Sequence, residues 1–116
     1  MAELYTQGEE LVLSLTGKEK ILAVHGDVRV PLTSIATVEV LDNAYAAVKG
    51  IRLPGASVPG LMAVGTFRHK GTTAFAVVHH GHPRGIRVRL QGADYDELII
   101  GSENPEELAA TLAGGA

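Results

Sequence analysis

Ile86-Arg87-Val88-Arg89-Leu90-Gln91 alternates apolar and polar residues without a break. Successive side chains of a strand point to opposite faces, so this stretch buries Ile86, Val88 and Leu90 and turns Arg87 and Arg89 outward. The same period of two recurs on both sides of it. Leu11, Leu13 and Leu15 alternate with Val12, Ser14 and Thr16; Val28 and Val30 flank Arg29; Val38 and Val40 alternate with Thr37 and Glu39. An apolar run from Leu61 to Arg68 is followed by a return from Thr73 to His79, with Phe75 and Val77 on one face, and Tyr95 to Ile100 supplies a last strand. Gly-containing turns separate the runs at Thr16-Gly17-Lys18, Gly26-Asp27, Lys70-Gly71, Gly81 to Gly85 and Gly92-Ala93-Asp94. The first of these reads as a hairpin leading into Ile21 to Val24. Regular short strands of this kind predict a mainly β chain: a seven-stranded antiparallel orthogonal roll, or partly open barrel.

The chain changes character at its end. Asn104-Pro105-Glu106-Glu107 combines an N-cap residue, a proline suited to the first helical position and acids at the positive end of the helix dipole. Leu108 and Leu112 share a face, and Gly114-Gly115 stops the run. One C-terminal helix is therefore expected over residues 104–113, too short to stand alone and so packed on the core. The expected core is Val38, Val40, Phe67, Phe75, Val77, Ile86, Val88, Leu90, Ile99, Leu108 and Leu112. With 116 residues and no cysteine, the sequence fits one domain over residues 9–116 preceded by an extension, residues 1–8, and excludes disulfides and a thiol nucleophile. The acidic N-terminus lacks a secretory apolar stretch, and Leu53 to Phe67 is too interrupted to span a bilayer, so a cytoplasmic location is expected.

The net charge of −3 is unevenly spread: residues 43–93 carry seven Lys and Arg and no acid, while residues 94–116 carry six acids and no base. Either the folded strands interleave these segments so that charges pair, or the central segment meets an anionic partner. Residues 43–60 form the longest irregular stretch, stiffened by Pro54-Gly55 and Pro59-Gly60. Long stiff loops on a rigid scaffold are favoured places for binding. Lys49 and Arg52 on this flap, with Arg84 on the neighbouring 80–85 loop, are the candidate ligand-binding residues; the opposing reading folds the flap down over a barrel end through Ile51, Leu53 and Val58.

The remaining motifs carry little chemistry. Of His79, His80 and His82, the first two point to opposite faces of a strand, so strand-end histidines are the ordinary reading and a zinc site the alternative. Gly55 to Gly60 lacks the Lys-Ser/Thr and the following helix of a phosphate-binding loop. Ser57 has no adjacent base, and Asp94 with Asp96 reads as a solvated turn. Nucleic acid would call for a larger basic excess and more aromatics than Tyr5, Tyr45, Phe67, Phe75 and Tyr95.

The order of pieces resembles the pleckstrin-homology (PH) superfold, most closely the small bacterial PH-like domains. The residues that carry the likeness are Thr16-Gly17-Lys18-Glu19, Val30-Pro31-Leu32-Thr33-Ser34-Ile35, Gly50 to Gly55, Pro59-Gly60 before Gly65-Thr66-Phe67, and Ser102 to Glu106 at the helix start. The resemblance covers residues 9–113 and implies two orthogonal sheets closed by the C-terminal helix. Phosphoinositide-binding members carry several bases across the first two strands, where this chain offers only Lys18 and Lys20. The expected function is a non-catalytic binding or scaffold module without metal or cofactor, acting through protein–protein contact or self-association at an unpaired strand edge. The alternative is weak peripheral binding of anionic lipid, or another anionic ligand, through the basic 43–93 segment.

Overall fold

The computed structural model describes residues 3–17, 19, 26–48, 51–58, 62–79 and 83–115. Nine strands are present among them: β1 (Glu3–Gln7), β2 (Glu10–Ser14), β3 (Val28–Pro31), β4 (Ile35–Leu41), β5 (Ile51–Val58), β6 (Met62–His69), β7 (Thr72–His79), β8 (Gly85–Leu90) and β9 (Glu97–Gly101). A short helix, α1 (Ala44–Ala47), precedes β5, and α2 (Pro105–Gly115) ends the chain. The mainly β class and the C-terminal helix are as expected; the count of seven strands is not.

The strands form two sheets, one ordered β1-β2-β3 and one ordered β4-β8-β9-β7-β6-β5. Their facing sides build one core: Leu11, Leu13, Val28 and Val30 from the smaller sheet meet Val64, Phe75, Val77, Ile86, Val88, Leu98 and Ile100 from the larger, with Leu112 of α2. A second cluster lies on the far side of the larger sheet, where α1 covers Ala63, Phe67, Ala74, Ala76, Val78 and Ile99. Strands β7 and β9 are therefore buried on both faces, which explains the unbroken apolar runs Ala74 to Val78 and Leu98 to Ile100.

Four expectations are corrected. First, the sheet is not wholly antiparallel: β9 inserts between β7 and β8 and runs parallel to β7, pairing Phe75 with Leu98 and Val77 with Ile100. A strand apolar on both sides needs a central position, and that need overrides a simple meander. Second, residues 3–7 are not an extension but strand β1, paired along its length with β2 from Glu3–Ser14 to Gln7–Glu10. Third, Thr16-Gly17-Lys18-Glu19 is not a hairpin turn; Gly17 and Glu19 are helical, and the expected strand Ile21 to Val24 lies outside the described residues. Fourth, the 43–60 stretch is not one long loop. Asn43 Oδ1 accepts from Ala46 N at 3.1 Å to cap α1, and β5 follows as an edge strand. Its register shifts between Arg52 and Gly55, at Pro54, which is where an edge strand tolerates a residue lacking a donor.

Within the expected core, Val38 and Leu108 are only half-buried and Val40 is 37% exposed. β4 is the other edge of the large sheet, with α2 packed across it and β8, so its apolar side is covered on one flank only. No helix among the described residues is long and apolar enough to cross a membrane.

Candidate functional site

Among the described residues the fold pairs three of the seven bases of the central segment with acids. β8 lies between β4 and β9, so Arg87 Nη1 donates to Glu39 Oε1 at 2.8 Å while its Nε lies 3.5 Å from Glu97 Oε2. Arg89 Nη2 is 4.0 Å from Glu39 Oε1. Arg84 is paired with Glu106 in the first turn of α2 and lies 3.9 Å from Asp42. The Arg84 hydrogen bond holds the Glu106 carboxyl below the usual carboxylate range, and Glu106 in turn raises Arg84. Acidic and basic segments thus interleave, and a cleft of about 310 Å³ beneath Ala47, floored by Phe67, Ala74 and Ile99, has its arginines paired with Glu97 and Glu39.

The three candidate ligand-binding residues are not gathered into one site. Lys49 lies outside the described residues. Arg52 sits in β5 opposite Phe67, and Phe67, Ala74, Glu97 and Arg89 continue that row across the sheet. Arg84 precedes Gly85, which pairs with Gly101 at the other end of β8. The two arginines are therefore four strands apart and at opposite ends of the sheet. Among the described residues the two segments meet where Ala44 N donates to Pro83 O at 2.6 Å.

The other motifs serve the fold. His79 Nε2 is 3.3 Å from Glu19 Oε2, and His80 and His82 lie outside the described residues. Asp96 Oδ2 accepts from Thr73 N at 2.8 Å, holding the β8–β9 connection against β7. Tyr95 stacks edge-on against Phe75 at 5.4 Å, and burial raises its phenol.

A cleft of about 570 Å³ lies elsewhere, between β1 and the first turns of α2. Leu4, Tyr5, Ile100 and Leu108 form its apolar part, and Glu3, Glu103 and Glu107 its charged rim. No base lines it. Among the described residues β1 pairs with β2 on one side only, and no described strand pairs with its outer edge beside this groove. Tyr5 is 40% exposed there. The acids near α2 gain from the helix dipole, but Glu3 comes from the facing strand and shares no such benefit. An open strand edge, apolar floor and acidic rim suit an extended, positively charged polypeptide and repel an anion. This groove is hard to read in the sequence because its strand is only five residues long and carries a single buried side chain, Leu4 between Glu3 and Tyr5. Comparison with family models, curated proteins and solved structures finds no match for this chain.

Proposed function

We propose that this chain is a non-catalytic interaction module, a PH-like roll that captures a positively charged, extended protein segment in the groove between β1 and α2. The observation that carries this reading is an edge of β1 with no described strand beside it, next to an apolar cleft rimmed by Glu3, Glu103 and Glu107 with no base among its described lining residues. The two facing sheets and the C-terminal helix against them support the PH-like resemblance; the parallel β7–β9 pair is its departure. The titratable groups that the fold brings together support binding rather than catalysis, since Glu19, Asp96 and Glu39 each hold a backbone or ion-pair partner.

Fluorescence polarisation of a short labelled peptide of alternating Lys and Thr tests the reading. Binding should weaken with salt and be lost in Glu3→Lys/Glu103→Lys, while a Glu/Thr peptide should not bind. Equal binding of both peptides, or binding indifferent to the double substitution, overturns it.

A further inference from the structure

The pairing of charges across strands leaves two remainders. One is the acidic groove, where Glu3, Glu103 and Glu107 have no cation within ion-pair distance among the described residues. The other is the β6–β7 hairpin, whose residues Arg68 to Thr72 are all exposed. Arg68 and Lys70 on that tip have no acid within ion-pair distance among the described residues. The tip is stiff: Lys70 (φ 50°) and Gly71 (φ 82°) both adopt positive φ, as in the two-residue turn that matches strand twist. A rigid basic projection and an acidic groove on one chain, on surfaces that do not overlap, are complementary.

We infer that the occupant of the groove is a second copy of this chain, its β6–β7 hairpin seated against β1 and α2, with Arg68 and Lys70 facing Glu3, Glu103 and Glu107. This rests on the acidic groove described above and names its partner, a preformed turn rather than an extended strand, because β6 and β7 are already paired on both sides and meet the groove through the charges of their tip. The contact uses two different surfaces, so each copy keeps one free groove and one free hairpin, and association proceeds head to tail. A preformed turn loses little conformational freedom on docking, and exposed ion pairs make the contact salt-sensitive.

Sedimentation velocity on the full chain tests this. At low salt the sedimentation coefficient should rise with concentration beyond that of a dimer, and fall to the monomer value at about 0.5 M salt, where the Debye length is only a few ångströms. Arg68→Gln/Lys70→Asn, which keeps a residue tolerant of positive φ at the turn, should weaken association about tenfold or more, as should Glu3→Lys/Glu103→Lys. An equimolar mixture of the two variants retains one intact hairpin and one intact groove, so it should form a dimer and nothing larger. Circular dichroism must show both variants folded; Glu3→Gln/Glu103→Gln is the milder substitute for the groove. A chain monomeric at high concentration and low salt overturns the inference, as does association that either folded variant leaves intact, or a mixture that grows beyond a dimer. The Lys/Thr peptide on the Arg68→Gln/Lys70→Asn variant, whose groove is intact, separates the two claims: peptide binding by that variant together with a wild-type chain that stays monomeric fails the inference alone, and no peptide binding fails the groove as well.

Discussion

Thr16 and Glu19 cap each other: Thr16 N donates to Glu19 Oε1 at 2.9 Å, and Glu19 N donates to Thr16 Oγ1 at 3.2 Å. This reciprocal pair satisfies two donors at a helix start that nothing inside the helix can reach. Glu19 is only 3% exposed and also meets His79, so the cap ties the end of β2 to the end of β7. Thr16→Ala should therefore lower stability by about 1 kcal/mol in urea titration, with Thr16→Ser close to wild type. An unchanged midpoint for Thr16→Ala would refute the cap's contribution.

Burial pushes the Glu19 carboxyl upward, but the Thr16 N–H, His79 and the Thr16 hydroxyl outweigh it and hold the group below its ordinary value. A depressed folded pKa means stabilisation that is complete above the unfolded pKa and lost as pH falls through the folded one. The stability difference between wild type and Glu19→Gln should be flat above about pH 5 and shrink below about pH 4. Urea midpoints measured across that range check it; a difference growing toward acid would reverse the sign.

Much of this architecture was legible in residues. The alternation in Ile86 to Leu90 set β8, its buried face and its outward arginines, and Asn104-Pro105-Glu106-Glu107 set the start of α2. The strand order was less accessible, because alternation says which face is buried and not which strand is the neighbour. The unbroken run Leu98-Ile99-Ile100 did hold that information, since only a strand covered on both sides gains from it. Thr16-Gly17-Lys18-Glu19 fits two patterns at once: glycine suggested a turn, whereas Thr and Glu three apart specify a cap. The site was the least legible part. Lys49, Arg52 and Arg84 were grouped by loop order, and the register between β5 and β8 parts the two that are described.

Gly85 faces Gly101 across the β8–β9 pair. A Cβ at Gly85 would lie against the Ile100 carbonyl oxygen, with Ile100 C at 2.9 Å and Gly101 Cα at 3.0 Å. These are backbone atoms of a strand buried on both faces, so they cannot swing aside. Gly85→Ala should cost about 2–3 kcal/mol, near the upper range for overpacking. Gly26→Ala, which meets open space, should stay within about 0.5 kcal/mol of wild type and serves as the control. Comparable midpoints for the two variants would contradict the close approach.

The two helix leucines should differ. Leu112 is fully buried in the main core, whereas Leu108 is half-buried at the wall of the groove. Leu112→Ala should cost about 2–4 kcal/mol and Leu108→Ala about half of that, since less apolar surface leaves water there. Chemical denaturation of both variants reads the difference; equal small losses would mean that α2 is not docked.

The remaining prediction weighs the lipid alternative. Arg84 is held by Glu106 and Asp42, and Arg87 and Arg89 face Glu39 and Glu97, so of the bases of the 43–93 segment whose side chains the structure describes, Arg68 and Lys70 are left for an anionic surface. Each base near such a surface contributes about 1 kcal/mol, so the pair supplies about 2 kcal/mol, too little for lasting attachment. In co-sedimentation with phosphatidylserine-containing vesicles at about 0.15 M salt, the chain should stay in the supernatant, because exposed charges beyond about 8 Å are screened there. At low ionic strength, any pelleting should disappear in Arg68→Gln/Lys70→Asn and persist in Lys49→Ala/Arg52→Ala/Arg84→Ala. Salt-resistant pelleting that the triple substitution abolishes, with the variant still folded, would replace the protein-binding reading with recognition of an anionic membrane.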